Sequence, residues 1–228
     1  MCEKVAARKL PRAKAVVRED YLIDACRHRR ALHVGCADAP FTRRKHEDGT
    51  LLHGKLAGVA SELVGIDCDE DALVWLGEHG VHDLFLRDAS EIGGLLRETG
   101  FRPEVIVAGE VLEHLLEPLQ FLNGISSVMD RGTKLVLSVP NAFAATSVAS
   151  VWLRKEKVHP EHVAYYSYFT IRELLRRTGF EVVDQHPYVH PPGNVREILF
   201  SGVVRFLSLG NPHFSDGYVL SAVRAARG

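Results

Sequence analysis

Short apolar runs alternate with amphipathic segments along most of the chain. The runs end close to a glycine, an aspartate or a proline. Near-continuous apolar runs of this length are typical of strands that are buried on both faces of a parallel sheet. The strands predicted in this way are Ala31–Val34, Leu63–Ile66, Leu84–Leu86, Val105–Ala108 and Lys134–Val139.

The segments between the strands carry apolar residues at helical spacing. Strands that alternate with helices indicate βαβ units with right-handed crossovers and parallel pairing. Gly179 is well placed as the C-terminal cap of the last clear helix. The clearest predicted helices are Glu70–Glu78, Leu119–Met129 and Ile171–Thr178.

Two further predicted strands, Phe180–Val183 and Tyr218–Val223, follow the alternating part of the chain. They are expected to close an otherwise parallel sheet on one side. We therefore predict one doubly wound α/β domain over residues 1–228, with a mostly parallel seven-stranded sheet and helices on both faces. Residues 1–30 are predicted to form an N-terminal helical extension.

Residues suited to ligand binding follow four successive predicted strands. In open α/β sheets, ligands bind beyond the carboxyl ends of the strands. Each residue taken singly is an ordinary turn residue, but four in succession favour a nucleotide-like ligand. These residues are Gly35, Asp67, Asp88 and Glu110.

Composition and charge exclude several classes of protein. With 228 residues, 46% hydrophobic and 25% charged, the chain is neither disordered nor dependent on a metal or disulfide to fold. A net charge of −1 provides no overall field toward nucleic acid or an anionic membrane, so we expect no nucleic-acid partner. The first thirty residues are locally basic, and we interpret them as a solvated helix face. The basic residues are Lys4, Arg8, Lys9, Arg12, Lys14, Arg18, Arg27, Arg29 and Arg30.

The remaining features of the sequence favour the cytoplasm. The N-terminus has no apolar stretch typical of a secretory signal, and no apolar run is long enough to span a membrane. The cysteines form no CxxC pair, which predicts reduced thiols rather than a disulfide framework. They are Cys2, Cys26, Cys36 and Cys68.

At this point the sequence resembles the class I S-adenosylmethionine-dependent methyltransferases, in particular their small-molecule branch. The resemblance runs from about Leu32 to Val183. It depends on the order and spacing of several individually weak motifs. The motifs are Ala31–Ala39 (ALHVGCADA), Val64–Asp67 (VGID), Leu86–Ser90 (LRDAS), Val105–Leu115 (VIVAGEVLEHL), the strand into Pro140 and Asn141, and His159–His162 (HPEH) followed by Tyr165, Tyr166, Phe169 and Thr170.

The resemblance implies a Rossmann-like fold, S-adenosyl-L-methionine as cofactor and a set of cofactor-binding residues. A turn at Gly35, Cys36 and Ala37 would approach the methionine part of the cofactor. Asp67 would accept hydrogen bonds from the ribose hydroxyls, and Asp88 would bind the adenine amino group. Glu110 would lie behind the methyl group that is transferred. The full predicted cofactor-binding set is Gly35, Cys36, Ala37, Asp67, Cys68, Asp88, Ala89, Gly109 and Glu110.

The first motif departs from the family pattern at three positions. His33 stands where the family usually has an acidic residue, and Ala37 and Ala39 stand where it has glycines. Alanine is costly where φ is positive or where the backbone must approach a ligand closely. We therefore expect a repositioned loop or weaker cofactor binding, with the segment 41–60 covering the cofactor.

Three histidines are the candidate acid/base residues for transfer to a hydroxyl. His114 would share a helix face with Glu110, since residues at i and i+4 of a helix are neighbours. His159 and His162 lie in the segment that commonly forms the acceptor wall in this family. Imidazole is suited to this task because it titrates near neutrality. We predict a methyltransferase for a small-molecule acceptor, more suited to a hydroxyl of a sugar or secondary metabolite than to an amine, with no metal ligand assigned.

Two other functions remain open. Small-RNA 2′-O-methyltransferases carry a similar ExxEH and a downstream His that bind a divalent ion, which would correspond here to Glu110, Glu113, His114 and His162. Alternatively, the alanines of the first motif favour a non-catalytic protein that binds a partner.

Two segments are the predicted acceptor-site or lid regions, residues 141–168 and 189–214. Within the second, Pro191–Pro212 carries apolar residues at helical spacing. A helix packed on the core is the default interpretation. The functional interpretations are a homodimer contact or a lid over a bulky acceptor.

Overall fold

The computed structural model describes residues 7–156, 158–190 and 210–226. These residues form a mixed sheet of eight strands in the order β1-β7-β8-β6-β5-β2-β3-β4. The strands are β1 Val16–Val17, β2 Arg30–Val34, β3 Glu62–Asp67, β4 Leu84–Leu86, β5 Val105–Gly109, β6 Lys134–Pro140, β7 Phe180–Val189 and β8 Gly217–Arg224.

Helices connect the parallel strands and cover both faces of the sheet. Short 3₁₀ turns at Ala89–Glu91, Leu112–His114 and Pro212–Phe214 supplement them. The helices are α1 Arg18–Cys26, α2 Thr42–Glu47, α3 Leu52–Ala57, α4 Glu70–Glu78, α5 Ile92–Thr99, α6 Pro118–Val128, α7 Ala145–Trp152 and α8 Tyr168–Arg177.

The pairing confirms the predicted Rossmann-like, mostly parallel sheet. Every neighbouring pair is parallel except those made by β8, which runs antiparallel to both β6 and β7. The sequence pattern does not predict the eighth strand, β1, which contains only two residues and pairs with Tyr188 and Val189 at the edge of the sheet. Two residues are too few to produce a periodic signal in the sequence.

Strand β5 shows why the predicted strands are apolar throughout. Val105 and Val107 pack into the cluster that includes Leu22 of α1, on one side of the sheet. Ile106 and Ala108 pack into the cluster on the opposite side. Successive side chains point to opposite faces of a strand, so a strand covered on both sides needs an apolar residue at every position.

The interpretation of the basic N-terminus as a solvated face is wrong for Arg18. Arg18 is the first residue of α1 and is only 9% exposed. Its Nε donates a hydrogen bond to Ser138 Oγ at 2.8 Å. Leu22 and Cys26, further along the same helix, are fully buried.

Other features of the sequence can be located only in part. Among the described residues, no helix is both long and apolar enough to cross a bilayer. The cysteines Cys26, Cys36 and Cys68 are free thiols. Most of the apolar segment Pro191–Pro212, namely residues 191–209, lies outside the described residues.

Two buried histidines face one another behind the turn that follows β2. His33 and His53 are each 2% exposed, and their rings stack with centroids 5.4 Å apart. Their Nδ1 atoms are 3.2 Å apart, so one imidazole donates to the other. Burial lowers the pKa of His53 to about 4. Burial, His53 and Arg18 together lower the pKa of His33 well below its usual value.

This pair predicts a loss of stability in mild acid. The folded state favours neutral imidazoles, whereas the unfolded chain binds protons at a pH near 6.5, so lowering the pH favours unfolding. The pKa of His53 alone corresponds to about 3 kcal/mol at neutral pH, lost as the pH falls from about 6.5 to 4. Urea unfolding at a series of pH values measures this dependence.

The matched variants are His53→Gln, which removes the titrating group, and His82→Gln at an exposed position. His53→Gln should flatten the pH dependence between 6.5 and 4, and His82→Gln should leave it unchanged. An equally steep dependence in His53→Gln would show that other groups cause the acid lability.

Candidate active site

A cleft of about 820 Å³ opens at the carboxyl ends of β2, β3, β4 and β5. Gly35, Asp67, Asp88 and Glu110 all line it. Parallel pairing of β2 with both β3 and β5 places these strand ends at one edge of the sheet. The four strand-end residues singled out in the sequence therefore surround one space.

The turn after β2 begins at Gly35, whose φ is +73°. Its N–H donates to Ile66 O at 2.9 Å. A Cβ atom at Gly35 would lie 3.0 Å from Val111 Cγ2, so an added methyl group would be both strained and crowded. Glycine is required here by conformation and by space.

The alanines of this turn are tolerated because other residues adopt the left-handed conformation. Asp38 has a φ of +56°, whereas neither Ala37 nor Ala39 has a positive φ. Ala37 is fully buried, and its N–H donates to Asp67 Oδ2 at 2.8 Å. The turn has a left-handed residue at Asp38 and is held by the Asp67 carboxylate.

Asp67 connects the turn after β2 to the turn after β3. Besides accepting from Ala37, it accepts from the N–H of Asp69 at 3.1 Å through Oδ1. Each carboxylate oxygen has two lone pairs, so both oxygens keep capacity for a further donor. The next residue, Cys68, also lines the cleft.

The segment 41–60 forms one wall of the cleft. It folds into α2 and α3, and Phe41, Lys45 and Leu51 line the space. Lys45 forms an ion pair with Asp38, which ties this wall to the turn.

The end of β4 contributes an aspartate fixed by a serine. Asp88 Oδ1 accepts from the backbone N–H of Ser90 at 2.8 Å and from its hydroxyl at 2.6 Å. These hydrogen bonds lower the pKa of Asp88. Ala89 and, from β5, Gly109 line the cleft close by.

Glu110 has polar or charged partners from three different residues. It accepts from the Tyr188 hydroxyl at 2.5 Å, lies 3.2 Å from His190 Nε2, and is 3.6 Å from the Arg18 guanidinium. Burial alone raises the pKa of Glu110, but Arg18, His190 and Tyr188 together lower it well below its usual range. Glu110 is therefore ionised.

The prediction that Glu110 and His114 share a helix face is wrong. Glu110 has a φ of +58°, which no helical residue adopts, and the following turn, Leu112–His114, is 3₁₀. Both side chains nevertheless line the cleft.

Sequence analysis missed Arg18, Tyr188 and His190 as residues around Glu110. Tyr188 and His190 follow Glu110 by 78 and 80 residues, and Arg18 precedes it in a different element. No motif or local spacing connects them, and only the pairing of β7 beyond its predicted end brings Tyr188 into place. The one available signal was a basic residue at the start of an amphipathic helix.

The three candidate acid/base histidines come together at one side of the cleft. The ring centroid of His114 lies 4.7 Å from that of His162 and 5.7 Å from that of His159. Burial is the main cause that lowers the pKa values of His114 and His162, and the neighbouring histidines lower them further. Both imidazoles are therefore neutral at neutral pH. Glu161 Oε2 lies 3.8 Å from His114 Nδ1.

Glu113 lies apart from these groups, although it is next to His114 in sequence. It is fully buried, and neither carboxyl oxygen has a hydrogen-bond partner among the described residues. Burial raises its pKa to about 8, so it is protonated at neutral pH. Among the described residues, the cluster with metal-site spacing contains neither Glu110 nor Glu113, so the ligand set of the RNA-enzyme hypothesis is not assembled.

Residues 8–185 match the family described as "Methyltransferase domain". The chain belongs to this family. The predictions of a class I methyltransferase and of S-adenosylmethionine as its cofactor are confirmed at the level of the family.

Curated relatives of the methyltransferase are distant in sequence. A ubiquinone biosynthesis O-methyltransferase from Cereibacter sphaeroides is 23% identical over 203 residues, which cover 86% of this chain and 73% of the relative. Another, from Ruegeria pomeroyi, is 26% identical over 179 residues, 72% of this chain and 64% of the relative.

Solved structures support the fold. A methyltransferase from Archaeoglobus fulgidus superimposes with a TM-score of 0.54 at 17% identity, covering 90% of this chain and 94% of the other. Magnesium protoporphyrin IX methyltransferase from Synechocystis, solved with bound S-adenosylhomocysteine, gives 0.55 at 15% identity, covering 91% and 82%.

The geometry of the cleft fits the cofactor. Gly35 lines the cleft and has no room for a Cβ beside Val111 Cγ2, and the Asp67 carboxylate lines the same cleft with unused acceptor capacity. We predict that Gly35→Ala weakens binding of S-adenosylhomocysteine at least about tenfold, because the turn must relax away from its present path. Isothermal titration calorimetry measures the affinity.

Gly80→Ala is the matched control. Gly80 has a φ of +83°, and no atom lies within 4 Å of the position that a Cβ would take, so alanine there carries the backbone strain without touching the cleft. Equal losses of affinity in the two variants would attribute the effect to general destabilisation.

Proposed function

We propose that this methyltransferase moves the methyl group of S-adenosylmethionine to a hydroxyl group of a small-molecule acceptor. The observation that carries the proposal is the cluster of His114, His159 and His162 in the same cleft as the strand-end residues. A hydroxyl must lose its proton as it attacks, whereas a neutral amine needs only the correct ionisation. The names of the curated relatives, which are O-methyltransferases, support the same acceptor group.

Cofactor binding is assigned to the cleft-lining strand ends. The Gly35–Ala37 turn would take the methionine part, Asp67 with Cys68 the ribose, and Asp88 with Ala89 the adenine. Gly109 and Glu110 would lie behind the reacting methyl group. The supporting geometry is that all of these residues except the buried Ala37 line one space, and that Ala37 is held there by Asp67.

The bound cofactor supplies a methyl group already activated as a sulfonium. The acceptor oxygen forms the new bond to the methyl carbon, and the carbon–sulfur bond breaks with its electron pair going to sulfur. The protein's work is to align the two reactants and to exclude water. The hydroxyl proton is transferred to the histidine cluster, in which His114 and His162 are neutral imidazoles suited to accept it.

The lining of the cleft favours an acceptor molecule that is partly apolar. Phe41, Val111 and Leu115 line the cleft together with the histidines. The segment 141–168, which carries His159 and His162, would form the acceptor wall. Such a mixed lining suits a secondary metabolite or a sugar derivative with an apolar part.

Removal of the Asp67 carboxylate tests the ribose assignment. Asp67→Ala should weaken S-adenosylhomocysteine binding by at least about 1 kcal/mol, since it removes acceptors for the ribose hydroxyls and a support of the turn. Calorimetry measures this change, and Asp71→Ala, on the exposed first turn of α4, is the control. An unchanged affinity in Asp67→Ala would discard the ribose role.

Transfer is tested with methyl-labelled S-adenosylmethionine and a panel of phenols, sugar hydroxyls and matched amines. Mass spectrometry should detect labelled methyl ethers.

His114→Ala should lower kcat at least about tenfold while leaving the affinity for S-adenosylhomocysteine within about twofold. His82→Ala, at an exposed position, should retain wild-type kcat. Labelled amines without ethers, or full activity in His114→Ala, would contradict the proposal.

A further inference from the structure

The histidine cluster has the composition of a metal site. His114, His159 and His162 each offer one imidazole nitrogen, and these three atoms lie within 4.8 Å of one another. Three imidazole nitrogens bound to one tetrahedral zinc-type ion lie about 3.4 Å apart, at about 2.1 Å from the metal. The cluster therefore needs only small side-chain rotations to close around an ion.

Two of the histidines have a ring nitrogen available as a ligand. His162 Nδ1 is buried and has no hydrogen-bond partner among the described residues. His159 Nδ1 accepts from the N–H of Glu161 at 3.3 Å, which orients the ring and leaves its Nε2 atom for another contact. His159 is also exposed, so its side chain has room to move.

We propose that His114, His159 and His162 form a binding site for a divalent cation of the zinc, cobalt or nickel class. Neutral imidazoles favour these metals, whereas magnesium favours oxygen ligands. Neither glutamate of the Glu110–His114 motif is free to provide the oxygen ligands that magnesium favours, because Glu110 is held by Arg18, Tyr188 and His190 and Glu113 is buried. The favoured sequence-based interpretation assigns no metal ligand, and the RNA-enzyme alternative combines His114 and His162 with two glutamates rather than with His159.

Three protein ligands leave the fourth position of a tetrahedral ion open. All three histidines line the cleft, so the open position faces the space assigned to the acceptor. A hydroxyl bound there has a lowered pKa and a fixed orientation. With the ion bound, the histidines act as ligands in place of the base role proposed above, and the hydroxyl proton leaves to solvent. Glu161, near His114, adds negative charge beside the site. The role of the ion in activating a hydroxyl rests on the proposed function. The binding of the ion by the three histidines is independent of it.

The test is a titration of the tag-free full chain with Zn²⁺ by calorimetry and with Co²⁺ by visible absorption. One ion should bind per chain, and the cobalt spectrum should show the intense bands of a four-coordinate site. His159→Ala and His162→Ala should each weaken Zn²⁺ binding at least about tenfold. His82→Ala, the exposed control, should bind as tightly as the wild type.

The outcomes separate this inference from the proposed function. Absence of Zn²⁺ binding, binding unaffected by His159→Ala and His162→Ala, or stoichiometric binding of Mg²⁺ in preference to Zn²⁺ would each overturn the three-histidine site. S-adenosylhomocysteine affinity in chelator, and methyl-ether formation measured both with Zn²⁺ and in chelator, report on the proposed function. Ether formation under either condition supports the transferase, and its absence under both conditions contradicts it. Ether formation that persists undiminished in chelator would overturn the catalytic role of the ion and leave the transferase intact.

Discussion

The parallel pairing of β2 with β3 on one side and β5 on the other is the constraint on which the cleft depends. Neighbouring parallel strands end at the same edge of a sheet, so their terminal residues must lie together. Gly35, Asp67 and Glu110 are far apart in sequence but face one space for this reason. The apolar residues that cover β5 on both faces stabilise the pairing.

Electrostatics in the cleft follow from burial and from a few partners. Glu110 stays ionised because Arg18, Tyr188 and His190 compensate for its burial, which keeps its pKa low. Glu113, a few residues away, has no such partners among the described residues and is protonated. Two glutamates of one short motif therefore have opposite ionisation states.

The unusual first motif is accommodated by its surroundings. Alanine is acceptable at Ala37 because the positive φ angles of the turn fall on Gly35 and Asp38. His33, in place of an acidic residue, is matched by His53 of α3, whose imidazole it contacts. His33 is thus stabilised by contact with His53, which belongs to the segment 41–60 that forms the cleft wall.

The sequence by itself determined the succession of strands along the chain, the strong helices and the convergence of the strand-end residues. The predicted helix Glu70–Glu78 has the observed bounds, because an aspartate caps a strongly periodic segment there. Local patterns suffice for such features, since each depends on neighbouring residues. The tertiary structure alone decided the burial of Arg18, the surroundings of Glu110 and the clustering of His114 with His159 and His162. These depend on contacts between residues far apart in sequence, as the 78 residues between Glu110 and Tyr188 illustrate, and on a left-handed Glu110 that interrupts the predicted helix face. No local pattern records such contacts, because their energy comes from burial and charge in the folded chain.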